Sequence, residues 1–438
     1  MIDTILTILG VLVFLPWIVR TISTKWQKSM WHRQLLIATL AFELITTLYI
    51  PSVMYVGLGV LLVSLGIYLI KERPKVEFTP LFIIAILYLI WYVISLLWSA
   101  APNKGSQFLL DNGLVLVAFS AIPCFIYLKK DELILILQQF CYAACVFVAL
   151  SLLSWIVSAM EINLPLWEWP ILQKSLVGNA YCYSWVFRFL GGVDGYIHPS
   201  YNLLPIFIAT PIAIWLKQRS NSQSMLWLFL WTGGLVLTLV SQSRMGIIYS
   251  TIILISNFIY LLPSRRSKII ATIFCGAISS IILVLSMNFL QNYGEDDTRN
   301  RLQSYTIRYI KAKPLTGAGA GALNPVEICH TINETYWPNV GYVDSNMQVA
   351  EWKPKTRMLP HNQWLADWAH AGVFAALITL AIYICIAWHS YTTKNYWGFI
   401  FILIFTIFSF LEPPLYIGKG FYLFCLMSVL VFLTHGKR

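Results

Sequence analysis

The sequence predicts an all-α, polytopic membrane protein of about twelve transmembrane helices, twelve or thirteen by count. Two long loops emerge on one face, the second of them partly helical. Three observations carry this prediction. The 438 residues are 58% apolar and only 11% charged, against roughly 45–50% and 25% in soluble domains, and mean hydropathy is +0.70. Apolar runs recur near the roughly 20 residues that an α-helix needs to cross the hydrocarbon layer. Lysine and arginine gather in alternate short loops between those runs. No stretch is left over for a sizeable soluble domain, so residues 1–438 read as one membrane domain.

In chain order the first half places spans at 4–19, 34–50, 53–70, 79–99, 109–128 and 132–158. The second half adds 200–216, 225–240, 246–262, 269–289, 364–388, 396–411 and 421–434. The first run lacks a basic segment ahead of it and a small-residue cleavage site, and so reads as a span rather than a removed leader. Residues 20–33, with Trp26 and Trp31 among cations, read equally as a loop or as an interfacial amphipathic segment. The two readings give thirteen spans with the amino terminus outside, or twelve with both ends inside. The second and third spans meet at Ile50-Pro51-Ser52, a tight hairpin or a kink.

The loops set the orientation. Short basic loops hold Arg20, Lys25, Lys28 and Arg33; Lys71, Arg73 and Lys75; Lys129 and Lys130; Lys217 and Arg219; and Arg265, Arg266 and Lys268. They alternate with 51–52, 100–108, 159–199, 241–245, 290–360 and 412–420. The positive-inside rule makes the basic set cytoplasmic, along with the end at His435–Arg438, and turns both long loops outward. The net charge of +11 thus belongs to membrane orientation, and no nucleic-acid partner is expected. Loop 159–199 is rich in aromatics (Trp167, Trp169, Tyr181, Tyr183, Trp185, Phe187), which suits an interfacial belt and equally sugar stacking. Cys124, Cys141, Cys145, Cys275, Cys385 and Cys425 sit in apolar runs. Cys182 and Cys329 fall in the long loops, as two free thiols or as one disulfide.

Chemistry-bearing residues concentrate between Tyr293 and Gly372. Residues 298–312 read as a surface helix capped by Thr298 or Asp297 and closed before Pro314. Arg301, Tyr305 and Arg308 share one stripe of it, while Leu302, Tyr309 and Ile310 share another. Paired guanidinium groups match phosphate oxygens bidentately and can hold a diphosphate. They equally suit anionic head groups. Gly317-Ala-Gly-Ala-Gly321 follows a helix with no βαβ unit around it, so it marks a tight turn with close backbone approach rather than a dinucleotide fingerprint. Arg244, in Ser241-Gln-Ser-Arg-Met-Gly246, borders two apolar runs, where a charge is a functional-site hypothesis by default. The competing reading is an arginine snorkelling to head groups.

His361-Asn362 opens the span at 364–388 and offers an imidazole that can take up a proton near neutral pH, or a capping pair. His198 occupies the equivalent boundary before 200–216, and Glu412 intrudes at the same face. Glu43 lies inside an early span with no assigned role. His361 and His370 are nine positions apart with no carboxylate cluster, so no metal site is expected. No nucleophile elbow supports a serine-hydrolase reading. A transporter would carry its polar site near the midplane on broken helices, whereas this constellation gathers at one face.

Over roughly residues 80–420 the pattern resembles the O-antigen ligase family, within the larger group that includes O-antigen polymerases. The family signature H-[NSQ]-x9-G-x-x-[GTY] is met by His361-Asn362 and Gly372, and departs at Ala375. Arg244 in Ser241-Gln-Ser-Arg, Arg301 in the large-loop helix, Lys313-Pro-Leu-Thr-Gly-Ala-Gly319 and the acidic Glu412 are similar as well. The resemblance implies about twelve spans, no cofactor, a polyprenyl diphosphate-linked glycan as donor and a lipid A–core hydroxyl as acceptor. It also implies an active site on the periplasmic side of the bacterial inner membrane. His361 would be the catalytic base, Arg244, Arg301 and Arg308 the donor-diphosphate ligands, and Asn362, Glu412 and His198 supporting residues.

Overall fold

The computed structural model describes residues 30–49, 51–99, 101–161, 199–219, 225–241, 243–262, 264, 266–267, 270, 297–321, 342–343, 349–350 and 360–433. In order, the helices are α1 (Trp31–Thr46), α2 (Pro51–Glu72), α3 (Pro80–Ser95), α4 (Pro102–Phe108), α5 (Val115–Phe125), α6 (Lys130–Glu161), α7 (Pro199–Arg219), α8 (Leu226–Val240), α9 (Arg244–Leu261), α10 (Asp297–Ala312), α11 (Gln363–Thr392), α12 (Tyr396–Leu411) and α13 (Gly418–Phe432). A π-turn at Leu109–Leu114 joins α4 to α5 as one rod, and 3₁₀ turns occupy Leu96–Trp98 and Pro414–Tyr416. Tyr342–Val343 and Val349–Ala350 form a two-residue antiparallel ladder.

Among the described residues, six helices are long and apolar enough to cross a membrane, and four shorter apolar helices accompany them. The predicted spans at 4–19 and, almost wholly, 269–289 lie outside the described residues. So do most of loop 159–199, His198, Cys182, Cys275 and Cys329.

Local chemistry explains the boundaries. Thr79 accepts from the Phe82 N–H at 3.2 Å and Pro80 follows, an ordinary start for α3. Ser243 and Asn395 cap α9 and α12 in the same way. α1 and α2 are the tight hairpin rather than a kink: Thr39 and Ser64 pair at 2.6 Å, and Gly57 leaves room for the Glu43 carboxyl. Every residue of α7 from Pro199 to Leu216 is buried, as is nearly all of α13. These two helices, buried on all sides, form the centre of the described bundle.

The described loops sort to two ends. One end holds the basic set: Arg33 clasps Glu132 at 2.8 Å, His32 meets Glu72, and Tyr260 reaches Gln218 at 2.8 Å. At the other end Ser99 meets Ala320, Trp98 meets Thr316, and Asn112, in the π-turn, donates to the Leu415 carbonyl at 2.7 Å. Among the described residues, these two sets of contacts lie at opposite ends of the bundle.

One predicted span needs correction. Residues 364–388 are not a single straight crossing. Ala371 (φ −132°, ψ 24°) and Gly372 (φ 80°, ψ −179°) leave helical geometry, and the rings of Trp364 and Tyr383 lie 5.2 Å apart. In an unbroken helix those positions would stand about 28 Å apart. α11 is therefore a helical hairpin. Its short arm, 363–370, folds back along a long arm, 373–392, whose length of about 30 Å crosses the hydrocarbon layer alone.

Candidate active site

The bend of the hairpin depends on residues that only glycine can replace without strain. Gly372 occupies a backbone region essentially restricted to glycine, and a Cβ there would strike the Leu315 backbone. Gly317, Gly319 and Gly321 have φ of +60°, +88° and +88°. Side chains on them would meet the backbones of Gly372, Ser99 and Gly105 in turn. The glycine-rich turn is thus a wedge of close-packed backbone between the hairpin and the junction of α3 with α4. Hydrogen bonds fix it: Ala318 N–H to the Ala369 carbonyl at 2.9 Å, and Val373 N–H to that of Pro314 at 3.1 Å. α10 lies over the short arm, burying Tyr309 and Ile310 against Leu365, Trp368 and Ala369.

This fold-back brings His361 to Glu412, 51 positions on. The imidazole Nδ1 lies 3.0 Å from Glu412 Oε2; the carboxylate side chain is 7% exposed and the imidazole 33%. With the carboxylate as acceptor, Nδ1 carries the proton and Nε2 keeps its lone pair. His361 also has φ +48°, a left-handed conformation that costs a non-glycine residue about 1–2 kcal/mol. Such strain gathers where function over-determines the backbone. Asn362 caps the short arm, accepting from the Leu365 N–H at 3.0 Å, and donates to the Phe410 carbonyl at 3.2 Å. It thereby ties the arm to the end of α12 just before Glu412.

The helices that carry the cationic residues pack against the segments that carry this pair. Arg244 is the first residue of α9 and exposed. Five positions on, Tyr249 packs edge-on against Phe408, one turn before Glu412, with ring centroids 5.7 Å apart. Arg308 is exposed on α10 beside the buried Tyr309 and Ile310, while the side chains of Leu302 and Tyr305 from the two predicted stripes fall outside the described residues. Arg301 lies on the same helix, and its side chain falls outside the described residues.

A second polar cluster escaped sequence reasoning. Asp367 Oδ1, fully buried, accepts from Gln363 Nε2 at 3.0 Å, from the Tyr416 hydroxyl at 2.8 Å and from the Tyr92 hydroxyl at 3.4 Å. The Gly321 N–H donates to His370 Nε2 at 2.5 Å, so Nε2 bears the lone pair. Nδ1–H then donates to the Tyr416 oxygen at 3.0 Å. Burial, and next the Asp367 carboxyl, push the Tyr416 phenol well above its ordinary pKa, so it stays a donor. Lys419, also buried, donates to the Leu48 carbonyl at 3.0 Å and to Asn202 Oδ1 at 2.7 Å, joining α1, α7 and α13. Each of these is an ionisable or polar residue in or beside an apolar run, and that alone was the available signal.

A multi-helix membrane bundle, with a histidine–carboxylate pair and arginine-bearing helices at one end, defines a class of membrane proteins built around one polar face. Residues 227–380 match the family described as O-antigen ligase. This match, over about a third of the chain, supports its similarity to O-antigen ligases as membrane enzymes of ligase or polymerase type. The matched segment runs from α8 into the long arm, enclosing Arg244, the glycine-rich turn, His361 and the hairpin bend. Glu412 lies beyond it. No curated protein matches the chain.

Proposed function

We propose that this protein is an inverting glycosyltransferase of the bacterial inner membrane, working on the periplasmic face as a single membrane domain with outward loops 159–199 and 290–360. It moves a glycan from a polyprenyl diphosphate carrier to a hydroxyl of lipid A–core. The observation that carries the reading is the strained His361 held 3.0 Å from a buried carboxylate. A base oriented by a third group is the arrangement that acyl and glycosyl transfer need to activate a hydroxyl.

In the reaction, the acceptor oxygen attacks the anomeric carbon as its proton passes to His361 Nε2. The bond from that carbon to the diphosphate oxygen breaks on the opposite face, and the polyprenyl diphosphate leaves with the electron pair. Glu412 holds Nδ1 and stabilises the imidazolium that forms. Arg244, with Arg301 and Arg308 from α10, stabilises the charge growing on the diphosphate. The lipid diphosphate is already an activated leaving group, so the scheme uses no metal and no nucleotide. His198, which lies outside the described residues, stays in the scheme as a supporting residue on its sequence position just before α7.

A polymerase would run the same chemistry with a second lipid-linked repeat as acceptor, and Ala375 is the one signature position that departs from the ligase pattern. Purified protein supplied with lipid-linked glycan and either acceptor separates the two. Transfer to lipid A–core is expected; extension of the lipid-linked repeat alone would establish the polymerase instead.

A further inference from the structure

The two halves of the His361–Glu412 pair sit on separate segments, the foot of the short arm and the turn after α12. Nothing in one backbone dictates the position of the other. What joins them, besides the pair itself and Asn362, is the buried cluster around Asp367. Gln363, two residues after His361, gives its amide hydrogen to Asp367 Oδ1 and accepts the Leu415 N–H at its own oxygen at 2.9 Å. Tyr416, four residues after Glu412, gives its hydroxyl hydrogen to the same carboxylate oxygen at 2.8 Å. One oxygen thus receives a donor from each segment. Two backbone groups that can only donate fix the directions: the Gly321 N–H sets the branch through His370 and Tyr416, and the Leu415 N–H sets the branch through Gln363.

We propose that Asp367 is a positioning residue for the reaction: through Gln363 and Tyr416 it holds the His361 segment and the Glu412 segment in the register that the base requires. His370 extends the same chain to the glycine-rich turn, so the turn that follows the arginine-bearing helix α10 is fixed to the same frame. The inference rests on the general-base reading of His361, since a positioner needs something to position. A misplacement of about 1 Å in such a pair can slow turnover by as much as hundredfold.

The test is a four-enzyme cycle in lipid nanodiscs: wild type, Asp367→Asn, His361→Ala and the double variant. For each, single-turnover transfer to lipid A–core and affinity for the polyprenyl diphosphate-linked glycan are measured. Asp367→Asn is expected to slow transfer by about ten- to hundredfold with donor affinity unchanged. In the His361→Ala background it should remove less than about threefold more, because groups that act as a unit are not additive. Tyr416→Phe keeps the ring stacked on Phe108 at 5.5 Å and should repeat this signature, which covers an Asp367→Asn chain that does not fold. Wild-type rates in both variants overturn the positioning role and leave the general-base reading intact. So does an equal loss in both backgrounds, or a loss of donor affinity that matches the loss of rate. A His361→Ala enzyme as fast as wild type overturns the general-base reading, and the positioning role falls with it.

Discussion

His361, Asn362 and Glu412 were legible in the sequence because each is a polar residue at the end of an apolar run, where hydropathy changes abruptly. Their pairing was not, since 51 positions separate the histidine from its carboxylate. Asp367 and Lys419 were missed, and His370 was weighed only as a metal ligand, for the opposite reason: a window of about 19 residues averages isolated polar groups into their apolar neighbours. At Arg244 the account predicts a division between charge and geometry. Arg244→Ala should weaken donor affinity by about ten- to hundredfold, the range of one or two charge-assisted hydrogen bonds. Arg244→Lys should restore only part of it, because a point charge replaces a bidentate fork. Titration of the lipid-linked glycan against both variants checks this; full rescue by lysine would show that only charge matters there.

Among elements, the starts of α3, α9 and α12 follow from the capping side chains of Thr79, Ser243 and Asn395, and the helix at 298–312 was legible from its start and stop signals. The hairpin of α11 was hidden, because Trp364, Leu365, Ala366 and Ala369 on the short arm read like the start of the long one. The bend falls at Gly372, just beyond them, and a single glycine inside a span carries no sign of its φ. The structure makes that glycine decisive. Gly372→Ala should lower the midpoint of thermal unfolding, with a destabilisation of about 2–4 kcal/mol from the combined backbone strain and contact with Leu315. Transfer should fall with it, because the bend sets where His361 meets Glu412. Wild-type unfolding and activity in Gly372→Ala would mean that the fold-back does not shape the site.

Across the whole molecule, the short basic loops at one end and the polar constellation at the other give the bundle a direction. Single cysteines at Lys104 and Lys130, both exposed at opposite ends, test it in intact cells with an impermeant thiol reagent. Labelling at 104 alone is expected, and labelling at 130 alone would invert the topology. The proposed transfer rests on His361 as the base, and one comparison tests that most directly: single-turnover transfer by wild type, His361→Ala and His361→Asn, with donor affinity measured in parallel. The account predicts that both substitutions slow transfer by roughly 10²–10⁴, the scale of general-base catalysis, while donor binding survives. Asparagine keeps a capping side chain and tolerates positive φ, so a His361→Asn enzyme that transfers at the wild-type rate would contradict the account.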